Sequence, residues 1–300
     1  MKNDTELRKE EKPKREKIEK ETSEKKELAL VYMVAGISSR FGGKIKQFAV
    51  VGEDGETLIE RSLKQALPAG FTKIIFIVGN KTEKPFKEKF GDEYQGVPVY
   101  YALQNYDPEK RERPWGTTDA ICAAKDLIDC PFVLVNGDDL YGENSFKIIA
   151  DFLKESEDES ECATLGYDIM KVLPENGSTN RGIFETENDY VKNINEVFKI
   201  EKDKLSEKGL DENSLCSMNI FGLRKKVLNV LDEILDNFKQ ENQGDKNVEC
   251  LLPVELSKLI DEGIIKMKLL STPDKWFGVT NPGDEKVVQE QLRKMKDSEK

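Results

Sequence analysis

The sequence predicts an α/β fold in which helices flank a mostly parallel central sheet. Apolar runs of strand length alternate with amphipathic stretches of helical length over the first half of the chain. Such alternation produces βαβ units, whose strands are parallel and whose crossovers are right-handed. Polar clusters follow several of these strands, at the positions where a doubly wound, Rossmann-like sheet binds ligands. Beyond Asn144 the alternation loosens, which predicts a smaller mixed region attached to the parallel one.

The individual elements can be placed along the chain. Residues 28–34 (LALVYMV) form a continuous apolar run, as expected for a strand that is buried on both faces. The elements predicted next are a Gly-rich loop over 35–43, a helix over 57–67, a strand over 73–78, a charged helix over 82–90, a strand over 97–103, a helix over 116–127 and a strand over 132–135. Those predicted after residue 144 are hairpin-like pieces over 182–197, a strand near 214–223, two helices and a strand over 264–270.

We predict a single domain over residues 28–296, with residues 28–143 and 144–296 as its two halves. The sequence contains no internal repeat and no linker that would separate an independent second domain. Residues 1–27 mix Lys and Glu with few apolar side chains, so we expect a disordered charged arm. A short partner-binding helix is the alternative for this arm.

Composition excludes several classes of protein. The 300 residues carry a formal net charge of -11, whereas a nucleic-acid surface needs a dense basic stripe, so we expect no nucleic-acid partner. No apolar run approaches the roughly 18 to 20 residues of a membrane span, and the first residues contain no apolar block typical of a signal peptide. Five scattered cysteines without a CxxC pair predict reduced, buried thiols in a cytoplasmic protein.

The sequence contains no histidine. This absence excludes Ser-His and Cys-His nucleophilic catalysis, histidine metal sites and most simple acid–base schemes near neutral pH. The chemistry should therefore depend on charge, metal and positioning. A few Lys and Arg side chains focused in one cleft can still bind an anionic small substrate.

The first motif is the loop over residues 34–47 (VAGISSRFGGKIKQ). Its small residues let backbone N–H groups approach a phosphate, and Arg40 and Lys46 supply positive charge to a triphosphate. The loop is neither GxxxxGK[ST] nor GxGxxG, the two common phosphate-binding patterns. An ordinary βα turn, which also favours Gly and Ser, is the alternative.

The second motif, NGDDLYG over residues 136–142, directly follows an apolar strand. Magnesium prefers one or two carboxylates together with phosphate oxygens and water, which Asp138 and Asp139 can supply. Because side chains alternate along an extended chain, only one of these carboxylates should face the cleft. An Asp-rich turn that caps the helix at Asn144 is the alternative.

The third motif is Gln104 followed by PWGTTDA over residues 114–120. A glutamine amide both donates and accepts hydrogen bonds, which suits the edge of a nucleobase. An ordinary helix N-cap at Gly116 and Thr117 is the alternative.

In this order the three motifs resemble the sugar-1-phosphate nucleotidyltransferases, a group that contains glucose-1-phosphate uridylyl- and thymidylyltransferases. The resemblance continues through Arg181–Gly182, 191–196 (VKNINE), 217–219 (SMN) and 276–280 (WFGVT), and it covers roughly residues 28–296. It implies Mg²⁺-dependent transfer of a nucleoside monophosphate from a triphosphate, with UTP or dTTP favoured, to a sugar 1-phosphate. The products would be a nucleoside diphosphate sugar and pyrophosphate.

The resemblance also implies a role for each matched residue. Residues 28–143 would be the nucleotide-binding half and residues 144–296 the sugar-phosphate-binding half. The nucleotide would contact Ala35, Gly36, Ser38, Ser39, Gln104, Gly116 and Thr117; catalysis would involve Arg40, Lys46 and Asp138; the sugar phosphate would contact Gly182, Glu196 and Asn219. The metal would be held by Asp138, with Thr280 or Asn281 as further ligands.

Two positions depart from the family pattern. Ser38 stands where the family loop often has Gly, so this turn must avoid a dihedral that only Gly adopts easily. Thr280 stands where relatives often place an Asp or Asn ligand, and a hydroxyl binds Mg²⁺ more weakly than a carboxylate. Thr280 can instead cap the helix that begins near Pro282.

Two other functions compete with this one. A cytidylyltransferase that activates an alcohol phosphate such as phosphocholine would use the same scaffold, with an aromatic or acidic cage for the quaternary amine. A nucleotide-sensing module would keep the cleft and lack the metal. The sequence leaves assembly into a homo-oligomer open.

Overall fold

The computed structural model describes residues 26–298, apart from residues 37–41, 53, 176 and 280–281. The predicted charged arm over residues 1–27 therefore lies almost wholly outside the described residues. Within them, the strands are β1 Ala29–Met33, β2 Lys73–Val78, β3 Glu93–Tyr94, β4 Val97–Leu103, β5 Phe132–Asn136, β6 Asp139–Leu140, β7 Glu161–Asp168, β8 Thr179–Glu187, β9 Tyr190–Ile200, β10 Leu215–Leu223, β11 Lys266–Ser271 and β12 Phe277–Gly278. The helices are α1 Leu58–Ala66, α2 Glu83–Phe90, α3 Thr117–Cys122, α4 Glu143–Glu155, α5 Ile169–Val172, α6 Lys225–Glu241, α7 Leu252–Asp261 and α8 Asp284–Ser298.

The central sheet is mixed and not mostly parallel. Its ten strands follow the order β3-β4-β2-β1-β5-β10-β7-β11-β9-β8. Strands β4, β2, β1 and β5 are parallel to one another, as predicted for the first half of the chain. In the second half only β7 and β11 pair in parallel, whereas β10 is antiparallel to both β5 and β7 and β8 forms a hairpin with β9. The α/β class is therefore confirmed, and the prediction of a mostly parallel sheet is wrong beyond β5.

Strands β1, β2 and β5 are buried on both faces, which explains their continuous apolar sequences, whereas Tyr100 and Leu103 of β4 are exposed. Along β1, Leu30 and Tyr32 contribute to one core cluster, and Ala29 and Val31 contribute to the cluster on the opposite face. Strands β2 and β5 divide their side chains between the two clusters in the same way. Because successive side chains point to opposite faces, a strand covered by helices on both sides has no polar face to show in the sequence.

Helix α3 is shorter than the helix predicted over residues 116–127. It ends at Cys122, and the next backbone hydrogen bonds join each amide to the carbonyl three residues earlier, as in Ala124 N–Ile121 O and Leu127 N–Ala124 O. These tighter turns carry the chain to β5 without a full α-helical register. The apolar pattern persists through this segment, which is why the sequence predicts a longer helix.

A small second sheet joins the C-terminal segment to the end of β5. Strand β12 pairs with β6, placing Gly278 opposite Asp139, and the Val279 amide donates to the Asp138 carbonyl. Leu140 and Val279 share a third apolar cluster with Val288 of α8. The segment that resembles the family at residues 276–280 is thereby held against the NGDD motif.

The cysteine prediction is confirmed, since all five thiols are buried and free. Among the described residues, no helix combines the length and the apolar character needed to cross a membrane.

Asp274 holds the start of α4 in place. Its carboxylate accepts hydrogen bonds from the Ser145 amide at 2.8 Å and from Asn144 Nδ2 at 2.9 Å. Gly142, the N-cap of α4, has a φ of 92°, and a Cβ there would lie 2.2 Å from the Asp274 carboxylate. The carboxylates of the NGDD motif make no capping contact with this helix, so the capping alternative for that motif is wrong.

We expect Asp274→Ala to lower the free energy of unfolding by about 1–2 kcal/mol, since a helix loses its capping acceptor. Asp274→Asn should lose less, because its amide oxygen still accepts from Ser145. Urea unfolding of both variants measures the loss, with the exposed Asp203→Ala as the control. Equal stability of Asp274→Ala and the parent protein would show that this contact does not stabilise the helix.

Candidate active site

The parallel strands end at one edge of the sheet, and the loops that follow them pack against each other there. The Val34 amide donates to Ile77 O at 2.9 Å, and the Gly137 amide donates to Met33 O at 3.1 Å. A Cβ on Gly79, just after β2, would lie 2.8 Å from Ala35 O, so only glycine permits this approach. Gly36 faces open space. The predicted phosphate loop therefore begins between the ends of β2 and β5.

Lys46 and Asp138 form an ion pair at this edge. The lysine lies in a short helical turn after the Gly-rich loop, and the aspartate follows β5. The two side chains are 14% and 27% exposed, so both can be reached from the cleft. Two residues that the sequence predicts as catalytic, 92 positions apart, are thus brought into contact.

The neighbouring carboxylate, Asp139, has different surroundings. It is 7% exposed, and its Oδ2 accepts from Asn136 Nδ2 at 2.9 Å. Burial, together with the adjacent negative charge of Asp138, raises the pKa of Asp139 to about 8. Of the two adjacent acids, Asp138 is the one that faces solvent and a cation.

The fully buried Tyr141 connects the two halves of the site. Its hydroxyl accepts from the Asn136 amide at 3.2 Å and lies 3.0 Å from Met218 O, in the irregular part of β10. The same hydroxyl is 3.3 Å from Asp139 Oδ2. The sequence motif contains this tyrosine but indicates no role for it, because its partner on β10 is far away in the chain.

Gln104, Gly116 and Thr117 lie together, as the third motif predicts. Gln104 is 7% exposed, and its amide nitrogen donates to Gly116 O at 3.0 Å. Gly116 is the N-cap of α3, as the ordinary interpretation of this motif requires. The Thr117 hydroxyl accepts from the Leu252 amide at 2.8 Å and so helps to hold α7.

The three residues predicted to bind the sugar phosphate also cluster. Gly182 on β8 lies opposite Glu196 on β9 and opposite Ser217 on β10. Asn219 lies in the irregularity that interrupts β10 between Ser217 and Phe221, and its φ of 59° is unusual for a residue other than glycine. The carbonyl of Asn219 is 3.4 Å from the Tyr141 hydroxyl, which places this cluster beside the NGDD motif.

Arg181 carries a partly buried positive charge that forms no ion pair among the described residues, although Asp139 and Glu196 are close enough to attract it. Its terminal nitrogens donate to the Asn180 and Val172 carbonyls at 2.9 and 3.2 Å, and its Nε has no hydrogen-bond partner. The guanidinium lies 5.4 Å from the centre of the Trp276 ring. Burial lowers the pKa of Arg181, since the charged form is poorly solvated.

The Asp138 carboxylate suits a magnesium ion whose remaining ligands come from the substrate and water. Among the described residues, no three acidic or thiol side chains lie close enough to bind a metal as a group. A single accessible carboxylate beside a phosphate loop is nevertheless a sufficient protein contribution, because Mg²⁺ takes its other ligands from phosphates and water. Asp138 is the residue that would hold this ion.

Several predicted site residues lie outside the described residues: Ser38, Ser39, Arg40, Thr280 and Asn281. Gly36 precedes the first of these gaps and Val279 precedes the second, and both flanking residues lie at the site. Sequence reasoning missed Asp119 and Lys239, which form an ion pair of 2.6 Å behind Gln104. An acidic residue at the start of a predicted apolar helix is the sequence feature by which Asp119 could have been identified.

The raised pKa of Asp139 gives a prediction for stability. Between about pH 4 and pH 8 the folded protein keeps a proton on Asp139 that the unfolded chain has released, so the free energy of unfolding falls as pH rises through this window. An asparagine at this position cannot ionise. The advantage of Asp139→Asn over the parent protein should therefore grow from pH 5 to pH 8, by at most about 1.4 kcal/mol per pH unit.

Urea unfolding in EDTA at four pH values measures this difference, and other titrating groups cancel between the two proteins. The exposed Asp236→Asn is the matched control. If the Asp139→Asn and parent curves ran parallel, Asp139 would titrate alike in the folded and unfolded states.

Comparison with known proteins agrees with this geometry. Three similar solved structures are a protein from Bacillus anthracis described as a glucose-1-phosphate thymidylyltransferase, the inositol-1-phosphate CTP transferase from T. maritima, and a UDP-glucose pyrophosphorylase complexed with UDP-glucose. Their TM-scores are 0.64, 0.62 and 0.61 at 15% identity each, over 89%, 90% and 90% of this chain and 95%, 97% and 99% of theirs. At this identity the likeness establishes a shared fold.

A comparison with curated protein sequences gives no match. The model of a protein family described as nucleotidyl transferase matches residues 42–259, which is more than half of the chain. The matched region contains Lys46 and Asp138. It also contains the three residues predicted to bind the sugar phosphate, Gly182, Glu196 and Asn219. The chain belongs to the nucleotidyl transferase family.

Proposed function

We propose that this nucleotidyltransferase joins a nucleoside triphosphate, UTP or dTTP by preference, to a sugar 1-phosphate and releases pyrophosphate. The observation that carries the proposal is the contact between Lys46 and Asp138 at the edge where the phosphate loop begins. In this structure the two charges neutralise each other. With substrates bound, Lys46 contacts the triphosphate and Asp138 holds the divalent cation.

The proposed reaction needs no side chain that acts as a general base. An oxygen of the acceptor phosphate attacks the α-phosphorus, a new phosphorus–oxygen bond forms, and the bond to the β-phosphate oxygen breaks to release pyrophosphate. The nucleophile is already an anion, which agrees with the absence of histidine. Bound Mg²⁺ supplies neutralisation of the repelling phosphates. Lys46 and Arg40 add positive charge, and the loops align the two substrates.

The arrangement around Gln104 supports a uracil or thymine base. The amide nitrogen of Gln104 is directed to Gly116 O, so its Oε1 remains to accept from a base N–H. The Gly116 amide donates no hydrogen bond within the described residues and can serve a base carbonyl. Uracil and thymine present N3–H and O4 to such a pair, whereas cytosine reverses both groups. Guanine shares the pattern, and we expect its larger ring system to overfill the space.

For the acceptor we propose a polyol phosphate, with a sugar 1-phosphate preferred. Glu196 and Ser217 lie opposite Gly182 on the neighbouring strands, and with Asn219 they offer polar groups to the hydroxyls of such an acceptor. A quaternary amine such as choline needs open aromatic faces. The Arg181 guanidinium already lies over the Trp276 ring, 5.4 Å from its centre.

Arg181 is the group that we propose holds the acceptor phosphate. An anion would compensate its partly buried charge. The likeness to a described inositol-1-phosphate CTP transferase makes inositol 1-phosphate the second acceptor to test. We place the reaction in the cytoplasm, because the buried free thiols suit a reducing compartment. We assign it to a single catalytic domain over residues 28–296.

A pyrophosphate-release screen with Mg²⁺ tests the function. Five triphosphates are combined with several sugar 1-phosphates, inositol 1-phosphate and phosphocholine, and UTP or dTTP with a sugar 1-phosphate should give the highest kcat/KM. Asp138→Ala should lower it by on the order of 10²-fold or more. Asp129→Ala is the matched control, because Asp129 precedes β5 at the opposite edge of the sheet and pairs with Lys73 at 2.5 Å. Full activity of Asp138→Ala, or turnover with phosphocholine alone, would refute the assignment.

The role of Arg181 has a separate kinetic prediction. Arg181→Met should raise the KM for the acceptor by about tenfold or more and leave the KM for the triphosphate unchanged, since a charge-assisted contact to one substrate is lost. Arg181→Lys should recover part of the loss. The exposed Arg113, paired with Glu249, provides Arg113→Met as the control. A proportional change for both substrates would mean that Arg181 acts only on the fold.

A further inference from the structure

The amide of Gln104 is fixed in one orientation by two acceptors. Its nitrogen donates to Gly116 O at 3.0 Å and to Asp119 Oδ2 at 2.9 Å. A primary amide has two N–H groups, so both of its donors are used within the protein. The side chain is buried, and only its oxygen Oε1 has no hydrogen bond among the described residues. Gln104 therefore presents an acceptor to the cleft and no donor.

Asp119 decides this orientation because an ionised carboxylate only accepts hydrogen bonds. It lies in the first turn of α3, and its side chain is 8% exposed. If Gln104 were rotated by half a turn, its Oε1 would face the carboxylate and the Gly116 carbonyl, and two acceptor pairs would repel each other. The orientation is thus imposed by charge as well as by shape.

Lys239 on α6 makes this buried acid tolerable. Its Nζ lies 2.6 Å from Asp119 Oδ1, so the two carboxylate oxygens are divided between Lys239 and Gln104. Burial of an unpaired carboxylate is unfavourable, and the ammonium group compensates it. The Lys239 side chain is one-third exposed.

The backbone carbonyl that shares the amide is also held in position. Gly116 has a φ of 103°, and a Cβ there would lie 2.5 Å from Cys250 O. The Cys250 amide donates to Trp115 O at 2.7 Å, and the Thr118 amide donates to Cys250 O at 3.1 Å. The loop before α3 therefore cannot turn to follow a rotated glutamine.

We propose that the Lys239–Asp119 pair is the specificity determinant for the base, acting as a positioning pair that keeps Gln104 an acceptor. This inference rests on the proposed function only in assigning Gln104 to the base. An acceptor matches the N3–H of uracil or thymine. Cytosine has an unprotonated N3 at that position, so its lone pair faces the lone pairs of Gln104 Oε1. The pair therefore excludes CTP without touching it.

The substitution Asp119→Asn tests the orientation directly. An asparagine amide presents either its oxygen or its NH₂ group to Gln104, so the glutamine becomes free to rotate and to donate to cytosine N3. Lys239→Met removes the counter-charge and should act in the same direction, whereas Lys239→Arg restores the charge and should recover the parent behaviour.

The chain offers a matched control in the same pair of elements. Lys125, just after α3, forms an ion pair of 2.6 Å with Asp232 on α6 and does not contact Gln104. Lys125→Met removes an ion pair between the same parts of the fold. Any general loosening of α3 against α6 should therefore affect both lysine variants alike.

The readout is equilibrium binding of UTP and of CTP to the full chain with Mg²⁺, which requires no acceptor and no turnover. The parent protein should bind UTP more tightly than CTP. The ratio of the Kd for CTP to the Kd for UTP should fall by about tenfold or more in Asp119→Asn and Lys239→Met, mainly because CTP binds more tightly. The ratio should stay unchanged in Lys125→Met and should return to the parent value in Lys239→Arg. Thermal melting establishes that each variant is folded.

The inference is overturned if the parent binds CTP as tightly as UTP, or if folded Asp119→Asn keeps the parent ratio. It is also overturned if Lys125→Met lowers the ratio as much as Lys239→Met does. A parent protein that discriminates between UTP and CTP but transfers to none of the acceptors refutes the proposed function. In that case the binding ratios of the variants still decide the role of the Lys239–Asp119 pair.

Discussion

The site depends on the buried hydroxyl of Tyr141, which joins the end of the parallel half of the sheet to the irregular strand β10. It contacts the Asn136 amide at the end of β5, Asp139 and the Met218 carbonyl. Buried polar groups must find partners inside the protein, so these contacts fix the distance between the NGDD motif and the cluster around Gly182 and Asn219. Through this one group the two predicted substrate sites become parts of a single cleft.

The distribution of charge follows from burial more than from the net charge of -11. Asp138 stays accessible beside Lys46, while Asp139 is buried and its pKa is raised, so the acidic pair presents one negative charge to the cleft near neutral pH. Arg181 remains partly buried without a carboxylate partner among the described residues. A protein that handles two phosphate-bearing substrates needs such local cations, and the bulk charge does not oppose them beyond a Debye length.

Hydrogen-bond direction links the fold to discrimination between bases. Gln104 lies where β4 ends, yet its orientation is decided by α3 and α6, which contribute Asp119 and Lys239. The parallel sheet therefore positions the groups that contact substrate, and the helices on one face orient them. In the proposed function, this division separates catalysis at Lys46 and Asp138 from base recognition at Gln104.

The sequence by itself determined the parallel half of the fold and most of the candidate site residues. A strand buried on both faces leaves an uninterrupted apolar run, which is why β2 was predicted with its observed bounds. Strand β4 was also predicted with its observed bounds, although part of it is exposed. Motifs such as NGDD are local, so Lys46, Gln104 and Asp138 could be named from neighbouring residues alone. The order of strands beyond β5, the contact of Tyr141 with β10, and the pairing of Asp119 with Lys239 could not be. The last two contacts join residues 77 and 120 positions apart, and all three features depend on which surfaces the packed sheet and helices bring together.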